Sequence, residues 1–239
     1  INRFRGDLSL FEEGKKWIEN KTQLPVIGII PWLTDSFPPE DSLDLLEKKS
    51  NFKNHEITVG IIKLPSISNF SDFDPLDNEE SILIEWIRES QNLRKFDFII
   101  LPGSKQTIKD QIFLEKSGLS QDIKEYSINK GNIIGICGGL QMLGTTLEDP
   151  YHKEGSQNSS EQKIKGIGLL PLKTTFFKKK LTRQISSESV WPCKSKINGF
   201  EIHNGITELD NLRSSLKINP IFKDLDLGWY KENNEGGTI

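Results

Sequence analysis

Four short apolar runs rich in β-branched residues constrain the fold of this chain more than any other feature of its sequence. Each run is bounded by proline, glycine or charged residues, which is typical of strands buried on both faces of a sheet. The runs are residues 25–30, 58–64, 96–101 and 132–136. Segments of helical periodicity lie at residues 8–20, 79–90 and 120–129. Strands that alternate with helices predict an α/β fold with a mainly parallel sheet.

A polar, proline-containing stretch at residues 33–56 interrupts this alternation and is the best candidate for a domain boundary. We therefore expect residues 1–50 to be the end of one domain with its linker, and residues 56–239 to form a second domain. Both ends of the sequence resemble cuts within a longer protein. A further stretch, residues 155–165, is rich in Gln, Asn, Ser and Lys and predicts a mobile surface loop.

The charge balance and the cysteine count exclude several classes of protein. With 31 Lys+Arg against 34 Asp+Glu, the chain lacks the positive field that attracts nucleic acid or anionic membranes. Its apolar runs are far shorter than the roughly 20 residues needed to cross a bilayer. Two cysteines, Cys137 and Cys193, are too few for a disulfide framework. We expect a cytoplasmic protein with neither nucleic acid nor membrane as a partner.

The sharpest local signal is a cysteine among glycines where the last apolar run meets a helix-compatible segment. Residues 135–144 read Gly-Ile-Cys-Gly-Gly-Leu-Gln-Met-Leu-Gly. Glycines on either side of Cys137 allow a tight turn, and the following helix offers free N–H groups and the positive end of its dipole. These features predict a lowered thiol pKa and a nucleophile that attacks an amide carbon. The alternative for a lone cysteine is a small buried hydrophobic residue.

A second glycine-bearing loop follows residues 96–101, where Pro102, Gly103 and Ser104 precede another helix-compatible segment. The carboxyl ends of parallel strands share one edge of a sheet, so the backbone of Gly103 can approach Cys137. We expect the N–H groups of Gly103 and Gly138 to hold a developing oxyanion. By itself, the Pro-Gly-Ser sequence indicates only a turn.

Three histidines are available as partners for a thiolate. His55 and His152 lie in polar segments and are expected to be solvated surface residues. His203 lies in an alternating strand between glycines, and Glu201 falls on the same side of that strand. This carboxylate and imidazole belong either to a catalytic edge or to an ordinary pair that hydrogen-bonds a neighbouring strand.

In this order, the signals resemble the class I glutamine amidotransferase domain of the cobyric acid synthase family, whose members amidate corrin carboxylates in cobalamin biosynthesis. The most specific match is residues 64–76, Leu-Pro-Ser-Ile-Ser-Asn-Phe-Ser-Asp-Phe-Asp-Pro-Leu, which resembles the start of that domain. Residues 1–7 and 40–42 resemble the end of its ATP-using synthetase domain. The resemblance covers nearly the whole chain. It implies a flavodoxin-like amidotransferase domain, preceded by the tail of a P-loop-type α/β synthetase domain.

The resemblance also implies roles for individual residues. Cys137 would be the nucleophile, Gly103 and Gly138 the oxyanion donors, and Gln141, Glu201 and His203 the glutamine pocket. Ammonia would pass to the synthetase domain, where ATP and Mg²⁺ activate carboxylates of adenosylcobyrinic acid a,c-diamide on the way to cobyric acid. The glutaminase domain itself is expected to bind no metal and no other cofactor.

The resemblance places the catalytic base beyond Ile239, in a Gly-Thr-Tyr-Leu-His-Gly-like strand. Without that histidine we expect the chain to be a poor glutaminase, because acid–base assistance contributes about 10²–10⁴-fold to rates. Three alternatives stay open. The chain can be a related amidotransferase of the cobyrinate-diamide or cell-wall type, a non-catalytic pseudo-glutaminase that binds a ligand or partner, or a cysteine hydrolase unrelated to glutamine.

Overall fold

The computed structural model describes residues 1, 4, 11–30, 55–154, 162–210, 217–223, 227–232 and 237–239. The chain divides into two compact units, Ile1–Lys49 and Ser50–Ile239. Most of the predicted boundary stretch at residues 33–56, and the whole of the match at residues 40–42, lie outside the described residues.

The first unit contains helix α1, Glu12–Thr22, which agrees with the helix predicted within residues 8–20. The negative charges of Glu12 and Glu13 stabilise the positive N-terminal end of this helix. Gln23 ends the helix in the left-handed conformation, with φ 57°. The strand predicted at residues 25–30 is wrong. Those residues adopt no strand, and Ile27 is 98% exposed. An apolar run becomes a strand only where neighbouring strands pair with it, and among the described residues of this unit its backbone-to-backbone hydrogen bonds reach only Ile1 and Phe4.

The second unit is built on a four-stranded parallel sheet with the order β2-β1-β3-β4. Its strands are β1 (Ile57–Ile62), β2 (Ile82–Ile87), β3 (Phe98–Leu101) and β4 (Asn132–Gly135). The strands predicted at residues 58–64, 96–101 and 132–136 are confirmed, and the order is that of a flavodoxin-like sheet. Thr238 lies beside the outer edge of β4, where its carbonyl accepts the Ile133 N–H at 2.8 Å.

The helix predicted at residues 79–90 is wrong, because strand β2 occupies the middle of this segment. The segment pairs in register with β1, from Ile57 opposite Ile82 to Ile62 opposite Ile87. Its apolar residues fit one face of a helix, but most of them are β-branched or aromatic, and such side chains pack well on a pleated surface. Pairing along the whole length of β1 outweighs the local helical pattern.

Helices cover the parallel sheet. They are α2 (Asp74–Asp77), α3 (Thr107–Ser117), α4 (Leu119–Ile128) and α5 (Gly138–Leu143), with short 3₁₀ turns at Ser71–Phe73 and Leu93–Lys95. The helix predicted at residues 120–129 is confirmed as α4. Ile61, Ile99, Leu114 and Ile123 are fully buried between these layers. Each such side chain stabilises the fold by roughly 1.5–3 kcal/mol.

A second, mixed sheet has the order β6-β5-β7-β8, and its two long strands form an antiparallel hairpin. Its strands are β5 (Thr146–Glu148), β6 (Lys163–Lys165), β7 (Leu172–Ser189) and β8 (Ser195–Leu209), and a small pair is formed by β9 (Asn219–Pro220) and β10 (Trp229–Tyr230). Strand β6 occupies the last three residues of the loop predicted at residues 155–165. Residues 155–161 of that loop lie outside the described ranges. Within those ranges, none of the helices has the length and apolarity needed to span a bilayer.

Candidate active site

Cys137 lies at the sharp bend between β4 and α5. Its backbone has φ 50° and ψ −107°, which is a strained conformation for a residue with a side chain. Such strain costs about 1–3 kcal/mol and persists where the surrounding structure enforces it. Next to it, the absence of a side chain at Gly139 allows close packing on β3, because a Cβ on this residue would lie 1.9 Å from the Leu101 carbonyl oxygen. The bend leaves Cys137 exposed at the carboxyl edge of the parallel sheet.

The loop after β3 lies directly beside this bend. A Cβ placed on Gly103 would be 3.8 Å from Cys137 Cβ, and one placed on Gly138 would be 2.9 Å from the Ser104 backbone nitrogen. The structure therefore brings together Gly103, Cys137 and Gly138, which the sequence separates. That the two glycine N–H groups serve as oxyanion donors stays a prediction.

The Gly103 loop is fixed by the segment that follows β1. The Ser68 N–H donates to the Gly103 carbonyl at 2.9 Å, and the Lys105 N–H donates to the Ser66 carbonyl at 2.8 Å. The Asp110 carboxylate accepts the Ser104 hydroxyl at 2.6 Å and the Ser66 N–H at 3.2 Å. Burial raises the pKa of Asp110, and these hydrogen bonds only partly offset that effect. The residues of the string at 64–76 thus support the loop beside the cysteine.

The electrostatics of Cys137 differ from the prediction. Desolvation by the surrounding protein atoms raises the pKa of the thiol above its ordinary value, although solvent reaches the residue. The hydrogen bond from the Gly138 N–H and the charge of Lys180 act in the opposite direction, while the charges of Glu154 and Asp72 add to the rise. The predicted lowering of the thiol pKa is therefore wrong, because desolvation outweighs the N–H donor at the start of a helix of only 6 residues.

Glu201 and His203 form a hydrogen-bonded pair on β8. Glu201 Oε1 lies 2.7 Å from His203 Nε2, and Glu201 Oε2 accepts the Arg183 Nε–H at 2.6 Å from the neighbouring strand β7. Burial alone would raise the pKa of Glu201, but the hydrogen bonds from His203 and Arg183 together lower it. The two side chains share one side of the strand, as the sequence predicts.

Gln141 connects this strand to the bend. Its side chain is buried on α5, and a Cβ on Gly205 would lie 2.9 Å from its Nε2 atom. Gly205 follows His203 by two residues, so both face the same side of β8. The structure thus places Gln141 between the cysteine and the strand that carries Glu201 and His203. Their contact with a substrate stays a prediction.

Glu154 is a buried residue of this edge that sequence reasoning missed. One oxygen accepts the Thr107 N–H at the start of α3 at 3.0 Å, and the other accepts the Asn204 side-chain amide of β8 at 3.2 Å. Its own N–H donates to Asp149 at 2.7 Å. The sequence near Glu154 indicates only the turn at Asp149 after β5. Such a turn does not reveal partners about 50 residues away in the chain.

The remaining candidates lie elsewhere. His152 is exposed, as predicted. Cys193 is exposed as well, which contradicts the interpretation of this lone cysteine as a small buried hydrophobic residue. His55 was predicted to be solvated, but both of its ring nitrogens are shielded from solvent and have no hydrogen-bond partner among the described residues. Across the described ranges, no three His, Cys, Asp or Glu side chains are grouped to hold a metal ion.

Comparisons with known proteins agree with this architecture. The family model for the CobB/CobQ-like glutamine amidotransferase domain matches residues 58–239. The cobyric acid synthases of Prochlorococcus marinus strains MIT 9301 and MIT 9312 are 84% and 85% identical over all 239 residues, which are 47% of each relative. The chain therefore spans about half the length of these curated relatives.

Two solved structures share the fold. The PurLQS structure from Thermotoga maritima aligns with 77% of this chain and 85% of its own, at a TM-score of 0.54 and 13% identity. A second structure, described as a glutamine amidotransferase, aligns with 75% of this chain and 86% of its own, at a TM-score of 0.53 and 15% identity. At these identities the likeness concerns the fold alone.

Proposed function

We propose that this chain, which belongs to the CobB/CobQ-like glutamine amidotransferase family, hydrolyses glutamine at Cys137 and releases ammonia for an amidation reaction. The observation that carries the proposal is the placement of Cys137. Cys137 stands exposed on a strained bend, and the backbone of Gly103 lies beside it. A Cβ placed on Gly103 would lie 3.8 Å from the Cβ of Cys137.

The proposed reaction has two covalent steps. The Cys137 thiolate attacks the carboxamide carbon of glutamine, and a C–S bond forms as the carbonyl electrons move to the oxygen. The N–H groups of Gly103 and Gly138 stabilise that oxyanion. Collapse breaks the C–N bond, the nitrogen takes up through solvent the proton that the thiol lost and leaves as ammonia, and a glutamyl thioester remains. Water then adds to the thioester carbonyl, and glutamate and the free thiol result.

The β8 strand forms the second side of the proposed glutamine pocket. Glu201 is ionised at neutral pH, because the bonds from His203 and Arg183 lower its pKa. Gln141, Glu201 and His203 supply amide, carboxylate and imidazole groups that can bind the polar ends of an amino acid. In this proposal they orient the substrate, whereas Cys137 carries the chemistry.

The wider reaction is inferred from the relatives named cobyric acid synthase. We propose that ammonia from this domain amidates adenosylcobyrinic acid a,c-diamide to cobyric acid in the cytoplasm, with ATP and Mg²⁺ bound by the other part of a longer protein. The sequence contains no GxxxxGK[ST] phosphate loop, which agrees with an ATP site outside these residues.

Ammonia release from glutamine tests the proposal. We expect the Cys137→Ala variant to lose the activity by at least about 10³-fold, because the nucleophile is gone. Cys193→Ala is the matched control, since that thiol is also exposed but lies far from any bend of this kind, and it should keep activity within about twofold. Equal ammonia release by Cys137→Ala and the unmodified chain contradicts the proposal.

The raised pKa of the Cys137 thiol favours one second candidate, a pseudo-glutaminase that binds glutamine without hydrolysing it. The same assay separates the two when it is run on the longer protein, which would include the histidine that the family resemblance places after Ile239. If that protein binds glutamine, measured by calorimetry, but releases no more ammonia than its Cys137→Ala variant, the domain is a binding domain.

A further inference from the structure

Glu154 occupies a position that its own surroundings fix firmly. It follows β5 and is 7% exposed. The Asp149 carboxylate accepts the N–H groups of Lys153 at 2.9 Å and Glu154 at 2.7 Å, which sets the direction of the chain at that point. A buried carboxylate is costly unless hydrogen bonds compensate it, so the partners of its two oxygens matter.

One oxygen of Glu154 anchors the side of the site that carries the cysteine. It accepts the Thr107 N–H at 3.0 Å, at the start of α3, where the preceding residue Gln106 provides no side-chain cap. Thr107 Oγ1 would lie 3.1 Å from a Cβ on Gly138, and the Ser104 nitrogen 2.9 Å from it. The start of α3 therefore packs directly on Gly138, the residue whose N–H reaches the Cys137 sulfur.

The other oxygen anchors the opposite side. It accepts the Asn204 Nδ2–H at 3.2 Å, and Asn204 lies on β8 between His203 and Gly205. A carboxylate that only capped α3 would not need this second partner. Glu154 instead joins two elements that are about 100 residues apart in the chain, each of which contributes to the cysteine's surroundings.

We infer that Glu154 is a positioning residue of the glutaminase site, holding the start of α3 and strand β8 at the separation that lines up Gly103, Cys137 and Gly138 with the glutamine carboxamide. The inference rests on the proposed function. The charge of Glu154 raises the pKa of Cys137 and so opposes activation of the thiol, which agrees with a role in geometry rather than in proton transfer.

Two alkylating reagents separate geometry from intrinsic thiol reactivity. Iodoacetamide reports the reactivity of the thiol. An L-2-amino chloroketone, in which a chloromethyl ketone replaces the carboxamide of glutamine, also requires an aligned pocket; the sulfur displaces chloride and a thioether forms. Mass spectrometry gives the rate ratio of chloroketone to iodoacetamide at Cys137, and the exposed Cys193 in the same molecule supplies the ratio of an unassisted thiol.

For Glu154→Ala we expect the ratio at Cys137 to fall about 10-fold or more, because small misplacements of reacting groups are costly. Glu154→Gln should restore it to within about threefold, since its amide can still accept the Thr107 N–H and donate to Asn204 after that side chain turns over. Glu125→Ala, which removes an exposed carboxylate from α4, is the control and should leave the ratio unchanged.

A ratio for Glu154→Ala equal to that of the unmodified chain overturns the inference and leaves the proposed function standing. If Glu154→Ala does not fold, Asn204→Ala decides: it removes only the second contact, and an unchanged ratio overturns the inference in the same way. A Cys137 ratio in the unmodified chain no higher than that of Cys193 overturns the proposed function itself, and the inference with it.

Discussion

The two sides of the candidate site are held by different kinds of interaction. On the cysteine side, backbone packs on backbone: Gly139 lies against the Leu101 carbonyl, and Gly138 lies against Ser104. On the β8 side, charged side chains make the contacts, through Arg183, Glu201 and His203. Backbone packing leaves almost no room for adjustment, whereas the half-exposed Arg183 side chain can shift and solvent can replace it. Changes on the first side should therefore act sharply and changes on the second gradually.

The same contrast appears in burial. The parallel sheet that ends at the cysteine has Ile61, Ile99 and Leu101 fully buried. The hairpin of β7 and β8 extends into solvent, with Phe200 70% exposed. The sheet that ends at the nucleophile is therefore the better packed of the two.

A pair of glycine substitutions gives the largest expected difference between the two sides. Gly139→Ala should lower the free energy of unfolding by about 3 kcal/mol or more, because its Cβ meets a carbonyl oxygen and the backbone must shift. Gly199→Ala on β8 is the matched control. No atom lies within 4 Å of its Cβ, and we expect a change within about 0.5 kcal/mol.

Urea unfolding of both variants measures this difference. Equal stability of Gly139→Ala and the unmodified chain would show that the bend can relax, and the distinction between a rigid and an adaptable side would fail.

An intermediate effect is expected from Arg183→Met on the β8 side. Arg183 is half-exposed, so its bond to Glu201 should contribute no more than about 1 kcal/mol at neutral pH. The pKa of Glu201 is lowered in the folded state, so the contribution is present above the ordinary value of 4.5 and is lost as the pH falls through the lower folded value. Thermal unfolding against pH should show the two proteins converging in acid.

Glu201→Gln supplies the control for this experiment, because Arg183 has further contacts. In the Glu201→Gln background, Arg183→Met should no longer show a pH-dependent difference. A difference that persists with the same pH dependence would assign the effect to another partner of Arg183.

The smallest effect concerns the charge of Lys180 on β7, which lowers the pKa of the Cys137 thiol. The rate of Cys137 alkylation by iodoacetamide should have its midpoint above pH 9.0 in the unmodified chain, since desolvation raises the thiol pKa from that value. Lys180→Met should move the midpoint slightly further up. Lys178→Met is the control, because this lysine lies over the Tyr151 ring, and a shift as large as that of Lys180→Met would make the effect non-specific.

The sequence predicted the part of the molecule whose signals are local. The apolar runs indicated β1, β3 and β4, and the glycines around Cys137 indicated the bend, because tight turns depend on residues within a few positions. The segment at residues 79–90 was misread, since only its pairing with β1 makes it a strand. The direction of the Cys137 pKa was also misread, because desolvation depends on the whole surroundings.

Long-range contacts account for what the sequence left out. Glu154 is joined to Thr107 and Asn204 across 47 and 50 residues, and no periodicity or turn motif encodes such a pair. The alternation along β8 predicted that Glu201 and His203 share a side. The contact of Glu201 with Arg183 could not be predicted, because it depends on the register that places Arg183 of β7 opposite Glu201.

Acid-quenched mass spectrometry after mixing with glutamine tests the central claim most directly, because it looks for the covalent intermediate itself. We expect the Cys137 peptide to carry a glutamyl group in thioester linkage, sensitive to hydroxylamine, and Cys193 to carry none. A Cys137 peptide that stays unmodified while ammonia is released, or a glutamyl group on another residue, would contradict the account.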